Sequence, residues 1–337
     1  MSREIAQRSL AVLFSAVVTA CGGGGSSTAS VPTPPPPPPP PPPSAATEYI
    51  VNVQATDAAI DPQFGSHYAY INTSVTSKGR LFLFFGATDS VPQFYTLIET
   101  AAANAGLHSI GMAFPNGPDP VNISCSGSAD PDCTSKIREE TFAGTNTSSL
   151  VSVSASDSVQ NRLVKVLTYL QAQHPTEGWG QYLGSGNSIR WDLIRVSGLS
   201  QGGGLAGYIA KQKAAVDRAC FFSSPADWDD VGNQPAGWVL SGTRMTAASK
   251  IYGFNHLSDP VVPFAHIQQT WQAFGLDAFG APVRVDQTSS FNGTHELTTD
   301  LGSTLSAHTS TASDSATPLD TSSLPVYRSA WQYACFN

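Results

Sequence analysis

One short segment, residues 196–204, constrains this chain more than any other. It reads Val-Ser-Gly-Leu-Ser-Gln-Gly-Gly-Gly and contains a Gly-x-Ser-x-Gly pattern centred on Ser200. Residues 191–196 predict a short apolar strand, and residues 205–210 predict the start of a helix. A serine on such a strand-to-helix turn projects its hydroxyl clear of both elements, which makes Ser200 a candidate nucleophile. The alternative is a Gly-rich loop with an ordinary capping serine.

The glycines on either side of the serine fit the same interpretation. Gly198 and Gly202 lie two residues before and two after Ser200. A turn this tight leaves no room for a Cβ at these two positions, and glycine has none.

The N-terminal residues predict export. Residues 1–20 combine an arginine-bearing start with an apolar run too short to span a bilayer, as in a secretory signal peptide. The small residues before Cys21 resemble a bacterial lipobox, which implies that Cys21 is lipidated and anchors the chain to the membrane. Gly22 after it resembles the outer-membrane sorting pattern. A plain signal peptide cut near Ala20 is the alternative.

A spacer follows the cysteine. Residues 22–30 are rich in Gly, Ser and Thr, and residues 34–43 are an unbroken proline run. A polyproline run is stiff and extends by about 3.1 Å per residue, so it predicts a spacer roughly 30 Å long. We therefore expect a signal peptide at 1–20, a disordered linker at 21–46 and one folded domain at 47–337.

Composition excludes several classes of partner and cofactor. The chain has a formal net charge of −8 and no basic cluster, so nucleic acid is not an expected partner. No Cys/His spacing resembles a metal site, and no phosphate loop or flavin fingerprint is present. We expect no cofactor and no metal. The sequence does not predict an oligomeric state.

Cysteine usage agrees with an oxidising compartment. Cys125 and Cys133 flank a polar, turn-rich loop, and their closeness predicts a disulfide. For Cys220 and Cys335 two possibilities stay open: a second disulfide, or a buried free thiol at Cys220.

The folded part alternates strands and helices, which predicts a mostly parallel sheet flanked by helices. A long loop at 115–149 is expected to carry the first disulfide and a short helix at 134–142. Residues 294–299 are expected to turn back as a hairpin partner of the last parallel strand. The expected strands are 49–53, 68–75, 81–85, 108–114, 191–196, 218–223, 250–255 and 283–287, and the other helices are 92–105, 157–173, 264–274 and 327–336.

This arrangement, with the serine turn after a central strand, resembles the α/β-hydrolase superfamily over nearly all of 47–337. Within it the chain is similar to bacterial esterases, lipases and polyester depolymerases. The resemblance implies an α/β fold with helices on both faces of the sheet. It also implies hydrolysis of small-molecule or polymeric carboxylic esters by a Ser-His-Asp triad through an acyl-enzyme, in the chain order Ser, acid, His.

The resemblance places the acid after the second strand beyond the serine turn. Asp259, followed by Pro260 and an apolar loop that enters a helix, fits that place. The rival acid is Asp227, since some relatives take the acid one strand earlier, and Asp229 and Asp230 are weaker candidates.

Two of the seven histidines come late enough to be the base. His308 lies in a polar loop and is the predicted base. His295 stands close to a glycine, as the family's histidine often does, but the polar alternation around Leu297 predicts a strand there, in which a histidine is structural. The choice between them stays open at this point.

An oxyanion hole requires two donors. The backbone N–H of Gln201, at the start of a helix, is the first expected donor. The second is expected from the loop after residues 81–85, at the N–H of Ala87 or Thr88. Two alternatives to an esterase remain: a non-catalytic surface-binding lipoprotein on the same fold, and an acyltransferase.

Overall fold

The computed structural model describes residues 45–302 and 306–337. The predicted signal peptide, Cys21 and the linker as far as residue 44 lie outside the described residues. The first strand, β1, begins at Thr47.

Within the described residues a nine-stranded sheet has the order β1-β2-β4-β3-β5-β6-β9-β11-β10. β2 runs antiparallel to both of its neighbours, β1 and β4, and every other pair is parallel. A separate two-stranded antiparallel ribbon pairs β7 with β8. The strands are β1 Thr47–Val51, β2 His67–Ile71, β3 Leu81–Phe85, β4 His108–Met112, β5 Ile194–Leu199, β6 Arg218–Phe222, β7 Trp228–Asp229, β8 Gln234–Pro235, β9 Ile251–His256, β10 Val283–Arg284 and β11 Glu296–Thr299.

Helices flank the sheet. The α-helices are α1 Val53–Thr56, α2 Thr96–Asn104, α3 Val121–Ser124, α4 Cys133–Ala143, α5 Val159–Gln173, α6 Gln201–Tyr208, α7 Gly237–Leu240, α8 Phe264–Phe274 and α9 Arg328–Trp331. Short 3₁₀ turns cover Pro62–Phe64, Pro92–Tyr95, Trp179–Tyr182, Ser185–Asn187, Trp191–Leu193, Ala248–Lys250 and Asp277–Phe279. Two π-helical turns, Ile209–Lys213 and Gln332–Phe336, extend α6 and α9.

The central strand β3 shows how the two faces are filled. All five of its side chains are apolar and buried. Leu81, Leu83 and Phe85 join a core with α5, α6 and α8, whereas Phe82 and Phe84 join a second core with α2 and α9. Successive strand residues point to opposite faces, so a strand buried on both faces must be apolar throughout. A mostly parallel sheet covered on both faces, with the serine turn at the end of β5, is the α/β-hydrolase fold.

The structure corrects one strand prediction that bears on the site. Residues 294–299 do not turn back as a hairpin. Instead β11 inserts between β9 and β10 and runs parallel to both. The alternation of polar and apolar residues marks a strand but not its direction, which is why the sequence did not reveal this. The start of β11 therefore lies at the N-terminal edge of the sheet, opposite the serine turn.

The predicted long loop contains two helices, α3 and α4, and the Cys125–Cys133 disulfide joins the end of one to the start of the other. Cys220 on β6 is bonded to Cys335 near the C-terminus, so a disulfide rather than a free thiol occupies this position. Among the described residues, no helix is both long and apolar enough to cross a membrane.

Candidate active site

The candidate nucleophile lies between β5 and α6, in backbone that L-residues rarely adopt. Ser200 has φ 55° and ψ −115°. Such strain persists only where the surroundings hold it in place. Here Ser200 N–H donates to the Phe222 carbonyl at 2.9 Å, and Gly204 N–H donates to the Ser200 carbonyl at 2.9 Å. These bonds fix the turn to the neighbouring strand β6 and to its own helix.

The two flanking glycines are required by close backbone contacts. A Cβ on Gly198 would stand 2.5 Å from the carbonyl carbon of Gly202 and 2.6 Å from the Phe85 oxygen. A Cβ on Gly202 would overlap the carbonyl oxygens of Phe85 and Gly86. Neither position has room for a Cβ, as the sequence pattern predicts, and the structure shows that the turn packs directly on the end of β3.

A carboxylate and an imidazole meet at the same edge of the sheet. His308 Nδ1 donates to Asp259 Oδ2 at 2.7 Å, although the two residues are 49 positions apart. The other carboxylate oxygen of Asp259 accepts from Val261 N–H at 2.8 Å and from Val262 N–H at 3.1 Å. The Asp259 side chain is fully buried and the ring is 12% exposed, so the carboxylate is fixed and one side of the ring reaches solvent.

A hydrogen bond from β6 holds the histidine beside the turn. Ser223, the residue after β6, donates its hydroxyl to the His308 carbonyl at 2.7 Å. The residue before it, Phe222, accepts the Ser200 N–H. Among the described residues no hydrogen bond links the Ser200 hydroxyl to the ring, a contact that often tightens only when substrate binds. The structure thus places Ser200 after β5, Asp259 after β9, and His308 against Ser223 at the end of β6, all at the carboxyl edge of the parallel strands.

The rival histidine lies elsewhere. His295 precedes β11 at the opposite edge of the sheet, where its Nδ1 donates to the Ile251 carbonyl at 2.7 Å. Its ring is stacked between Tyr252 and Phe279, with centroid distances of 4.0 and 3.7 Å. Burial lowers the pKa of the His295 ring. These contacts give His295 a structural role and do not bring it to Ser200.

The rival acid Asp227 has a different partner. Arg138 binds it through two bonds, from Nε at 3.0 Å and from Nη2 at 2.6 Å, and Trp238 Nε1 adds a third at 2.9 Å. Asp229 accepts N–H bonds from its own loop, and Asp230 accepts from the Ser126 hydroxyl. In the part of the chain that the structure describes, none of these three carboxylates forms a hydrogen bond or an ion pair with a histidine side chain.

Of the N–H groups expected to stabilise the oxyanion, that of Gln201 is at the start of a helix and that of Ala87 is occupied by another hydrogen bond. Gln201 is the first residue of α6, and the N–H groups of a first helical turn have no acceptor within the helix. The Ala87 N–H donates instead to the Tyr95 hydroxyl at 2.9 Å, so it is engaged elsewhere in this structure. Tyr95 comes from the 3₁₀ turn before α2, and nothing in the sequence pattern indicated this contact. Thr88 stays as the predicted second donor.

A cavity of about 300 Å³ lies beside Gln201. The loop after β4 contributes Pro115 and Pro118 to its wall, α4 contributes Ile137, and the following loop contributes Leu150 and Val153. The cavity therefore adjoins the first residue of α6.

Comparison with known proteins adds two similar structures. No protein-family model and no curated protein matches the chain. One similar structure is MGS-M1, an alpha/beta hydrolase enzyme from a Medee basin deep-sea metagenome library, with 12% identity, a TM-score of 0.34, and coverage of 68% of this chain and 78% of that one. Another is a thermophilic esterase, Est2, of the Planctomycetes species Thermogutta terrifontis, with 14% identity, a TM-score of 0.41, and coverage of 80% and 84%. The fold class is assigned from the sheet topology and the serine turn, and not from these two similar structures.

Proposed function

We propose that this chain is a serine hydrolase that cleaves carboxylic esters through an acyl-enzyme. The observation that carries the proposal is the buried Asp259 carboxylate bonded to the His308 ring, with that histidine held beside the strained Ser200 turn. A serine hydroxyl is a weak nucleophile near neutral pH unless an oriented imidazole takes its proton. The three residues supply that combination in the chain order Ser, Asp, His.

The proposed mechanism has two steps, acylation of Ser200 and hydrolysis of the acyl-enzyme. Ser200 Oγ attacks the ester carbonyl carbon while His308 Nε2 takes the hydroxyl proton, and Asp259 stabilises the imidazolium through Nδ1–H. The carbonyl oxygen becomes an oxyanion that the Gln201 N–H stabilises. The C–O bond to the alcohol then breaks, and the alcohol leaves with the proton from His308. In the second half water gives a proton to His308 as it attacks the acyl carbonyl carbon, the bond from that carbon to Ser200 Oγ breaks, and His308 returns the proton to Ser200 Oγ as the acid leaves.

An ester panel with matched variants tests this proposal. Turnover of p-nitrophenyl esters should fall by several orders of magnitude in Ser200→Ala and in His308→Ala, because members of a triad act as a unit. His295→Ala is the matched control and should change turnover only modestly. A fluorophosphonate probe should label the wild type and not Ser200→Ala. A folded wild type with neither turnover nor labelling would instead indicate a surface-binding module.

Hydrolysis and acyl transfer use the same residues and differ in the acceptor. We propose water as the acceptor. Adding a small alcohol to the same assay and measuring the new ester separates the two outcomes. A rate of new-ester formation that far exceeds acid release at low alcohol concentration would identify an acyltransferase.

We also propose that the enzyme is exported and tethered to the cell envelope, and that the anchor is lipid on Cys21 in the outer membrane. The lipobox-like residues before Cys21 and the proline run after it support this proposal. In a Gram-negative host the wild type should incorporate labelled palmitate and fractionate with the outer membrane, whereas Cys21→Ala should do neither. Identical fractionation of both proteins would contradict the lipid anchor.

A further inference from the structure

A disulfide-closed segment contacts the residue after the nucleophile at two separate atoms. This segment, residues 121–143, consists of α3, the disulfide loop and α4, and we call it the brace segment. At its start Val121 N–H donates to Gln201 Oε1 at 3.0 Å. In its second helix Arg138 Nη1 donates to the Gln201 carbonyl at 2.8 Å. Gln201 is therefore held through both its side chain and its backbone.

The guanidinium that holds the Gln201 carbonyl is itself fixed. Arg138 is 3% exposed, and its Nε and Nη2 bind the two oxygens of Asp227. The paired bonds set the plane of the guanidinium, because its donors form a rigid fork. Gly204, one turn along α6, leaves the space for it, since a Cβ there would overlap Arg138 Nη2. One nitrogen, Nη1, is left to point at Gln201.

The disulfide ties the two contact points together. Cys125 follows the last residue of α3, and Cys133 is the first residue of α4. Both half-cystines are buried in a small cluster with Val121 and Ile137. Val121 and Arg138 consequently belong to one cross-linked unit rather than to two independent loops.

The Gln201 N–H is the donor to the oxyanion in the proposed function. We propose that the brace segment positions this donor and that Arg138 is a positioning residue for the oxyanion hole. The inference rests on the proposed function. The peptide that carries the Gln201 N–H is fixed at its carbonyl end by the Gly204 N–H bond to the Ser200 carbonyl, and the brace segment fixes Gln201 on its other side, through its own carbonyl and its side chain.

The expected effect appears in kcat rather than in KM. A donor to the oxyanion acts only when charge develops on the carbonyl oxygen, so its displacement removes an interaction made in the transition state. A misplacement of about 1 Å costs roughly a hundredfold in rate. Loss of the brace contacts should therefore lower kcat by about 10- to 100-fold and leave KM nearly unchanged.

The test replaces the buried pair as a unit. Arg138→Met alone leaves Asp227 charged, buried and unpaired, which risks unfolding. The double variant Arg138→Met/Asp227→Asn removes both charges and keeps an oxygen for Trp238 Nε1. Lys136→Met, on the same helix but in an exposed pair with Asp130, is the matched control.

Each variant is assayed per active site, with sites counted by fluorophosphonate labelling at completion. The double variant should lose 10- to 100-fold in kcat per site, with a parallel loss of affinity for a trifluoromethyl ketone, whose serine adduct carries an oxyanion. A merely structural role of Arg138 would lower the number of labelled sites and not the rate per site. Per-site kcat within about twofold of wild type in a folded double variant would overturn the inference.

The disulfide gives a second, independent comparison. Cys125→Ala/Cys133→Ala should lower per-site kcat with KM preserved, whereas Cys220→Ala/Cys335→Ala should lower Tm and leave per-site kcat unchanged. Equal per-site rates in the two pairs would count against the brace. If the wild type itself shows no labelling and no turnover, the proposed function fails, and the inference fails with it.

Discussion

The Asp259 carboxyl is held so that an amide in its place has only one good orientation. Asp259 Oδ1 accepts two backbone N–H bonds, from Val261 and Val262, whereas Oδ2 accepts from His308 Nδ1. In Asp259→Asn the amide oxygen must stay with the two backbone donors. Its NH₂ group then points at the histidine, and an NH₂ group donates but does not accept. His308 is forced to carry its proton on Nε2.

That tautomer cannot take the proton of the Ser200 hydroxyl. The same substitution in a Ser-His-Asp triad lowers kcat by about 10⁴-fold. At about 1.36 kcal/mol per tenfold change, this is about 5.4 kcal/mol of lost transition-state stabilisation. We expect a loss of that order in kcat/KM for p-nitrophenyl ester hydrolysis, with little change in Tm because every backbone bond to the side chain is kept.

Asp229→Asn is the matched control, since within the described part of the chain the Asp229 side chain accepts N–H bonds from its own loop alone. Its kcat/KM should stay within about twofold of wild type, as expected for a substitution that touches no special feature. Retention of kcat/KM within about tenfold of wild type in folded Asp259→Asn would refute the assignment of Asp259 as the orienting carboxylate.

Three other substitutions test separate parts of the account. Gly202→Ala should lower Tm and abolish ester turnover, because the new Cβ overlaps the Phe85 carbonyl, and overpacking of this kind costs about 1–3 kcal/mol. His295→Phe keeps an aromatic ring in the stack and should retain turnover, while the lost hydrogen bond lowers the free energy of unfolding by about 1 kcal/mol. Glu99→Gln should raise Tm above pH 4.5 and change it little below. Glu99 is fully buried on α2, its carboxylate oxygens have no hydrogen-bond partner among residues 45–302 and 306–337, and burial raises its pKa well above the ordinary 4.5. The folded state thus binds this proton more tightly than the unfolded chain, so the stability it contributes is present below pH 4.5 and is lost as the pH rises toward the folded-state pKa.

For each of these three predictions, one result would contradict the reasoning. Full activity in Gly202→Ala would mean that the turn is looser than the structure has it. Loss of turnover in folded His295→Phe would return that histidine to the candidates for the base. A gain in Tm for Glu99→Gln that is equal at about pH 4 and about pH 8 would show that ionisation of the carboxyl is not the cause.

Local sequence patterns predicted the structure correctly where the conformation of a segment depends on its own residues. The apolar run of β3 and the boundaries of α8, Phe264–Phe274, were predicted from the sequence alone. The serine turn was predicted from its local Gly-x-Ser-x-Gly pattern, although the backbone atoms that exclude a Cβ at its two glycines include those of Phe85 and Gly86 on a distant strand end. The predicted short helix at 134–142 likewise corresponds to α4, Cys133–Ala143.

Contacts between residues far apart in the sequence could not be predicted from local patterns. The direction of β11 depends on which strands accept its hydrogen bonds, and alternation is the same in either direction. The contact between Ala87 N–H and the Tyr95 hydroxyl depends on how the loop after β3 folds over the following 3₁₀ turn. The ion pair of Arg138 with Asp227 joins residues 89 positions apart. A charged residue in a predicted helix gives no indication of such a partner.

The choice between the two histidines shows the same limit. Sequence order placed both His295 and His308 after the acid, and only the sheet topology separates them by placing them at opposite edges. The hydrogen bond from Ser223 that holds the His308 backbone beside the serine turn has no counterpart in any local motif.

The most direct test of the central claim is to trap the acyl group during turnover. Wild-type protein is mixed with excess p-nitrophenyl butyrate, quenched in acid within the first turnovers, digested and mapped by mass spectrometry. We predict a butyryl group on the peptide that contains Ser200, located on that serine by fragmentation and absent in Ser200→Ala. Butyrylation of a different residue, or sustained ester turnover by Ser200→Ala, would contradict the account.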